Sequence, residues 1–104
     1  WVSAFINISK KEIYYMDSYG ESIPRQIKKF IDMVIKQTEN QNEKYTFIEN
    51  IKRHQYSSSE CGMYCLFIII NLLKGKSFQQ LAEKRIPDSK MIFLRKKYFN
   101  HKIT

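Results

Sequence analysis

The chain has 104 residues, 43% of them hydrophobic and 14% aromatic, with three Gly and two Pro, which excludes a disordered or fibrous chain and allows one domain with a modest core. Eighteen Lys and Arg against ten Asp and Glu give a formal net charge of +8, and the excess is uneven: residues 1–50 hold seven of each sign, residues 51–104 eleven basic against three acidic. A basic half can bind nucleic acid or steer an acidic substrate, but fourteen Lys to four Arg, without a groove-reading motif, favours a plain lysine-rich surface and leaves nucleic acid an unfavoured partner.

In chain order, Val2, Ala4, Ile6 and Ile8 alternate with more polar positions, Ser9-Lys10-Lys11 makes a turn, and Ile13 and Tyr15 resume the alternation. This predicts a two-stranded hairpin. Its second strand runs into Met16-Asp17-Ser18-Tyr19-Gly20. A carboxylate at a strand end, before a glycine-containing loop, can accept a hydrogen bond from a neighbouring strand, although an Asp there is more often an ordinary loop or capping residue. Ile23, Ile27, Phe30, Ile31, Val34 and Ile35 repeat at helical spacing, with Arg25, Lys28, Lys29, Asp32 and Lys36 on the other faces. They predict an amphipathic helix whose start is marked by Ser22 and Pro24. Residues 38–44 read as a loop and residues 45–52 as a third strand leading into His54 and Gln55.

The apolar run from Met63 to Leu73 is broken by Asn71 and closed by Lys74-Gly75. It is about half of the roughly twenty residues a membrane span requires, so it predicts a buried helix. Ser77 and Gln80 have the spacing of a capping box, predicting a short helix through Leu81 and Glu83. Pro87 stops it, and Asp88 or Ser89 can cap a final helix carrying Met91, Leu94 and Tyr98 on one side. The expected class is α+β: one small mixed or antiparallel sheet packed on a buried helix that begins at Cys61, with further helices around it. No internal repeat, low-complexity segment or signal-peptide pattern is present.

The segment from His54 to Gly62 carries the chemistry. It reads as a polar loop that delivers Cys61 to the first turn of the buried helix, where the macrodipole and unpaired N–H groups favour thiolate, the nucleophilic form. Gly62 leaves room beside the sulfur for another backbone. Gln55 supplies a neutral amide donor suited to a developing oxyanion. The competing reading is a buried structural cysteine after an ordinary loop. Cys61 and Cys65 sit on successive turns and make no disulfide framework, and the chain offers no matching Cys or His cluster for a metal. A reducing compartment is expected, with no cofactor and no metal.

Together Trp1, Asp17, Gln55, Cys61 and Gly62 resemble the pattern of the SUMO-protease/adenain family of cysteine proteases: His-Trp, an Asp at the end of the next strand, a Gln, and then Cys-Gly. The intervals from Trp1 to Asp17 and from Gln55 to Cys61 match the family's. Ser77-Phe78, Arg85-Ile86-Pro87-Asp88, Met91 and Leu94-Arg95 also look like the tail of its large-DNA-virus members, so the likeness covers nearly the whole chain. It implies a papain-like cysteine protease core, with residues 1–104 as a single partial catalytic domain. In that reading Cys61 is the nucleophile, Gln55 and the Cys61 N–H bind the oxyanion, and Asp17 orients the histidine. Trp1 covers a narrow channel, beside Gly62, that admits Gly-Gly ends.

The departure is the histidine itself, which would precede Trp1 and is not in this sequence. His54 neighbours Gln55, and adjacent side chains in extended chain face opposite ways. His101 sits in a polar tail, and neither is expected to be the base. Since Trp1 is not an initiator methionine, the chain is expected to be a fragment or a processed or trimmed product that hydrolyses peptides negligibly. The implied partner is a protein substrate, either a ubiquitin-like modifier or a viral polyprotein, the virus-like tail favouring the latter. The reading expects a monomer without membrane contact, in cytoplasm, nucleus, viral factory or virion. The rival is a non-enzymatic remnant or basic module binding a Gly-Gly tail or nucleic acid.

Overall fold

A computed structural model of the chain describes residues 1–99; His101 lies outside them. The order is β1 (Ser3–Asn7), β2 (Glu12–Met16), α1 (Arg25–Glu39), β3 (Thr46–Glu49), α2 (Cys61–Leu73), α3 (Phe78–Glu83) and α4 (Asp88–Phe99). The class is α+β and the sheet is mixed. Central β2 pairs antiparallel with β1, Phe5 opposite Tyr14, and parallel with β3, Ile13 opposite Phe47. A parallel neighbour needs a crossover connection, and α1 supplies it.

Both faces of β2 are covered. Tyr14 and Met16 meet a core built from Met63, Tyr64, Ile68 and Leu72 of α2, Phe78 and Ala82 of α3, and Met91 and Leu94 of α4. On the other face Ile13 joins Ile31 and Tyr45 in a smaller core flanked by Ile27, Val34 and Phe47. Residues 13–16 are therefore all buried, as expected of a strand enclosed on both sides.

Edge strand β1 is covered on one side only. The alternation in its sequence is real, but the apolar phase faces out: Ile6 and Ile8 are exposed, while Ser3 is buried and Phe5 half-buried. The reason is an aromatic column. Phe5 stacks on Tyr14 at 6.2 Å between centroids and Tyr14 on Phe78 at 4.7 Å, which draws the odd-numbered residues inward.

Other boundaries differ from expectation for local reasons. Pro24, at φ −59°, stands directly before α1 with no side-chain cap, so Ser22 is not its cap. The helix runs through Glu39 into the expected loop, and Asn42, at φ 61°, is left-handed. Strand β3 stops at Glu49 because Asn50 turns its side chain onto Asp17. Ser77 caps α3 as expected, its hydroxyl accepting the Gln80 N–H at 3.4 Å. Asp88 opens α4, but its carboxylate bonds the 56–57 loop rather than capping its own helix. Helix α2 is apolar nearly all round, and buried Asn71 is satisfied within it, donating to the Phe67 carbonyl at 2.8 Å. Among the described residues no helix is long and apolar enough to cross a membrane.

Candidate active site

Cys61 is the first residue of α2, half-buried, with its thiol free. The strand β1 lies against α2, and this brings the Trp1 amino nitrogen to 3.6 Å from Cys61 Sγ. Trp1 itself is 86% exposed. Its ring is one wall of an open cleft of about 500 Å³ shared with Gly62, Met63, Leu66, Arg95 and Phe99. A Cβ built on Gly62 would meet nothing within 4 Å, so the glycine borders open space next to the sulfur. The cleft is apolar apart from Arg95 and is not an enclosed channel among the described residues.

Asp17 ends β2 and is buried. Three backbone contacts fix it. The Asn50 side chain accepts the Asp17 N–H at 2.8 Å and donates to its carbonyl at 2.7 Å, continuing the ladder past the end of β3. The Gly20 N–H donates to the same carbonyl at 2.8 Å, closing a turn. The Asp17 carboxylate accepts the Tyr19 N–H at 2.9 Å. Gly20 is required here: it is left-handed at φ +74°, and a Cβ would stand 2.9 Å from the Arg53 nitrogen. The loop after Asp17 is thereby pressed against the chain that leads to Gln55.

Gln55 is fully buried. Its N–H and that of His54 both donate to the Ser18 carbonyl, at 2.8 and 2.7 Å. The Ser18 hydroxyl donates to Gln55 Oε1 at 2.5 Å, and Gln55 Nε2 donates to the Ser57 carbonyl at 2.8 Å. An amide nitrogen carries two hydrogens, so one N–H has no partner among the described residues. No hydrogen bond directly joins Asp17, Gln55 and Cys61 to one another; Ser18 links the first two, and Trp1 is the residue placed against Cys61.

His54 faces away from this group. Its Nδ1 accepts the Ile86 N–H at 2.9 Å, so Nε2 carries the proton and donates to the Ala82 carbonyl at 3.0 Å. Burial pushes its pKa down, with Lys52 and Arg85 adding to the effect, against the Ala82 hydrogen bond. It is a neutral structural imidazole that ties the Gln55 loop to α3. Cys65 lies one turn after Cys61, buried, and burial pushes its thiol up. Among the described residues no group of His, Cys, Asp and Glu can hold a metal ion.

Four residues that sequence reasoning did not single out as parts of the site support it. Besides Ser18 and Asn50 they are Glu60 and Asp88. The buried Glu60 stands immediately before Cys61, its Oε2 3.0 Å from Arg95 Nη2, and Arg95 also donates to the Ser59 carbonyl at 2.8 Å. Asp88 accepts the N–H groups of Tyr56 and Ser57, at 3.0 and 3.2 Å, and the Tyr64 hydroxyl at 3.0 Å. Burial raises the Asp88 pKa, but the donors from Tyr56, Tyr64 and Ser57 outweigh it and hold the carboxyl below its usual value. The only sequence sign of these contacts is a polar residue at an element end, which is common everywhere.

Against known proteins, residues 1–104 match the Ulp1 protease family, C-terminal catalytic domain. The chain belongs to that family. Its relatives include R355 of Acanthamoeba polyphaga mimivirus, named as a thiol protease, 29% identical over 105 residues. The SUMO-1 cysteine protease S273R of African swine fever virus is 32% identical over 103 residues. These alignments cover 97% and 95% of this chain but 34% and 37% of the relatives, so the chain spans about a third of their length. The crystal structure of the African swine fever virus pS273R protease superposes with a TM-score of 0.85 at 30% identity, over 91% of this chain and 36% of that one. The Ulp1-type arrangement of sheet and helices is thus shared with a solved relative.

Proposed function

We propose that this chain forms the nucleophile-bearing part of a Ulp1-type cysteine peptidase acting on proteins with Gly-Gly-like ends, in a reducing compartment. Cys61 Sγ attacks the scissile carbonyl carbon, a thioester forms, and the amine leaves with a proton. Water then attacks the thioester and releases the acid and the thiol. The left-over Gln55 N–H and the Cys61 backbone N–H face the oxyanion, and Asp17 orients the proton carrier. The family pattern implies that this carrier is a histidine bonded to the Trp1 nitrogen. The observation that supports this most is the 3.6 Å separation of that nitrogen from Cys61 Sγ, since a residue bonded to it starts beside the sulfur.

The open space at Gly62 beside Trp1 leaves room for a substrate backbone next to the sulfur; the preference for Gly-Gly-like ends is what the family pattern implies, and it suits a polyprotein site or a modifier tail alike. The test compares Gly-Gly-X peptide turnover by this chain and by a form with histidine placed before Trp1. The first is expected to be negligible and the second measurable. In the extended form Cys61→Ser should abolish turnover with the fold retained, and Cys65→Ala should cost stability but little activity. Equal turnover with and without the histidine would show that the base is another group, and loss with Cys65→Ala but not Cys61→Ser would overturn the nucleophile.

A further inference from the structure

We infer that Ser18 and Asp88 are positioning residues for Gln55, forming a two-sided clamp that aims its one unused amide N–H. The inference rests on the oxyanion reading of Gln55 given above. On one side the buried Ser18 hydroxyl donates to Oε1 at 2.5 Å, and the Ser18 carbonyl holds the Gln55 N–H at 2.8 Å. On the other, Nε2 donates to the Ser57 carbonyl at 2.8 Å, and the Ser57 residue is itself pinned by Asp88 through its N–H at 3.2 Å and its hydroxyl at 3.4 Å. The hydroxyl of Tyr64, a fully buried residue of α2, lies 3.0 Å from Asp88 Oδ1 and 2.7 Å from the Ile86 carbonyl and shares its one proton between them.

The clamp determines which way the amide points. Turned over, Gln55 would set its oxygen against the Ser57 carbonyl, two acceptors facing each other, so the hydrogen-bond network admits one orientation. Four of the five hydrogen-bonding groups of Gln55 are then engaged: the side-chain oxygen by Ser18, one amide hydrogen by Ser57, the backbone N–H by the Ser18 carbonyl, and the backbone carbonyl by Arg53 Nε at 2.7 Å. What remains is a single N–H whose direction cannot drift without breaking one of them. Transition-state stabilisation by a donor needs this kind of fixed aim, because a donor that must reorient gives back part of what it supplies. Neither Ser18 nor Asp88 is hydrogen-bonded to Cys61, so each acts on chemistry only through Gln55.

Two measurements test the clamp, one independent of turnover. In the 104-residue chain, the Gln55 side-chain NH2 should give two distinct, slowly exchanging proton resonances. Ser18→Ala should collapse their protection by about tenfold or more, and Asp88→Asn should do so less. In the form with histidine placed before Trp1, Gln55→Ala should lower kcat for a Gly-Gly-X peptide by about 100-fold. Ser18→Ala should lower it about tenfold with KM within about twofold, but by less than about twofold when added to Gln55→Ala, since it works through that side chain. An undiminished tenfold loss in the Gln55→Ala background, or unchanged NH2 protection in Ser18→Ala, would overturn the clamp. Unchanged kcat in Gln55→Ala would instead remove the oxyanion reading, and the clamp's role in catalysis with it, even if the NH2 signals were protected as expected.

Discussion

His54 shows how a residue type that suggests catalysis can be occupied by structure. Both ring nitrogens are engaged, by the Ile86 N–H and the Ala82 carbonyl, and only the neutral ring can serve both. Protonation would turn Nδ1 into a donor facing a donor. Burial lowers the folded-state pKa below the ordinary value of about 6.5, so between the two the unfolded chain binds the extra proton. The sign follows: stability carries no His54 penalty above about pH 6.5, and it declines as pH falls below that value until the folded-state pKa is passed. Urea midpoints between pH 7 and 5 should show the decline, and His54→Gln should flatten it. His54→Ala should cost about 3 kcal/mol, since it leaves a buried N–H and a buried carbonyl unpaired. A slope that persists unchanged in His54→Gln would assign the titration to another group.

At the scale of elements, α4 acts as a brace for the loop that leads into Cys61. Met91 and Leu94 anchor it in the core, Asp88 holds the 56–57 amides at one end, and Arg95 holds Ser59 and Glu60 further along. Glu60 is 6% exposed and Arg95 48% exposed at the side chain, so the pair is only partly screened. Arg95→Ala leaves a buried carboxylate without its cation and should destabilise the fold by about 1–2 kcal/mol. Adding Glu60→Gln should recover part of that loss, measurable as a rise in denaturation midpoint over the single variant. The sequence showed the helices well, because Ile27, Ile31 and Val34, or Met91 and Leu94, repeat with the period of one buried stripe. It showed Cys61 at a helix start for the same reason: a polar loop meets an apolar run. It did not show that β1 presents Phe5 rather than Ile6 to the core, since that choice depends on Tyr14 and Phe78 from distant segments. Nor did it show the supports of Asp17 and Gln55. Ser18, Asn50 and Asp88 act across 37, 33 and 31 residues of chain, and no local pattern encodes such pairings.

For the molecule as a whole, the charge asymmetry acquires a different meaning once the arginines are placed. Arg53 packs over Tyr19 and Tyr56, Arg85 over Tyr56 while donating to the His54 carbonyl, and Arg95 binds Ser59 and Glu60. Three of the four arginines are thus spent on holding the candidate site together. The exposed excess is carried by lysines: Lys76, Lys84 and Lys90 line one pocket of about 280 Å³ with Arg85, while Lys74 after α2 and Lys96 and Lys97 in the last turn of α4 lie outside it. Point-charge ammonium groups read no bases, and the one guanidinium among them that could make bidentate contacts, Arg85, is engaged by Tyr56 and the His54 carbonyl. Duplex DNA should accordingly bind with a Kd weaker than about 10 µM near physiological salt, as non-specific electrostatic association does. Neutralising Lys96 and Lys97 together should reduce the dependence of log K on log salt by no more than about two ion equivalents, and Arg95→Ala should act on stability instead of on that slope. Fluorescence anisotropy with a labelled duplex at two salt concentrations reads both effects. Submicromolar binding that the double substitution removes would mean that α4 presents a nucleic-acid surface, and the basic half would then be a partner site rather than the outer side of a brace.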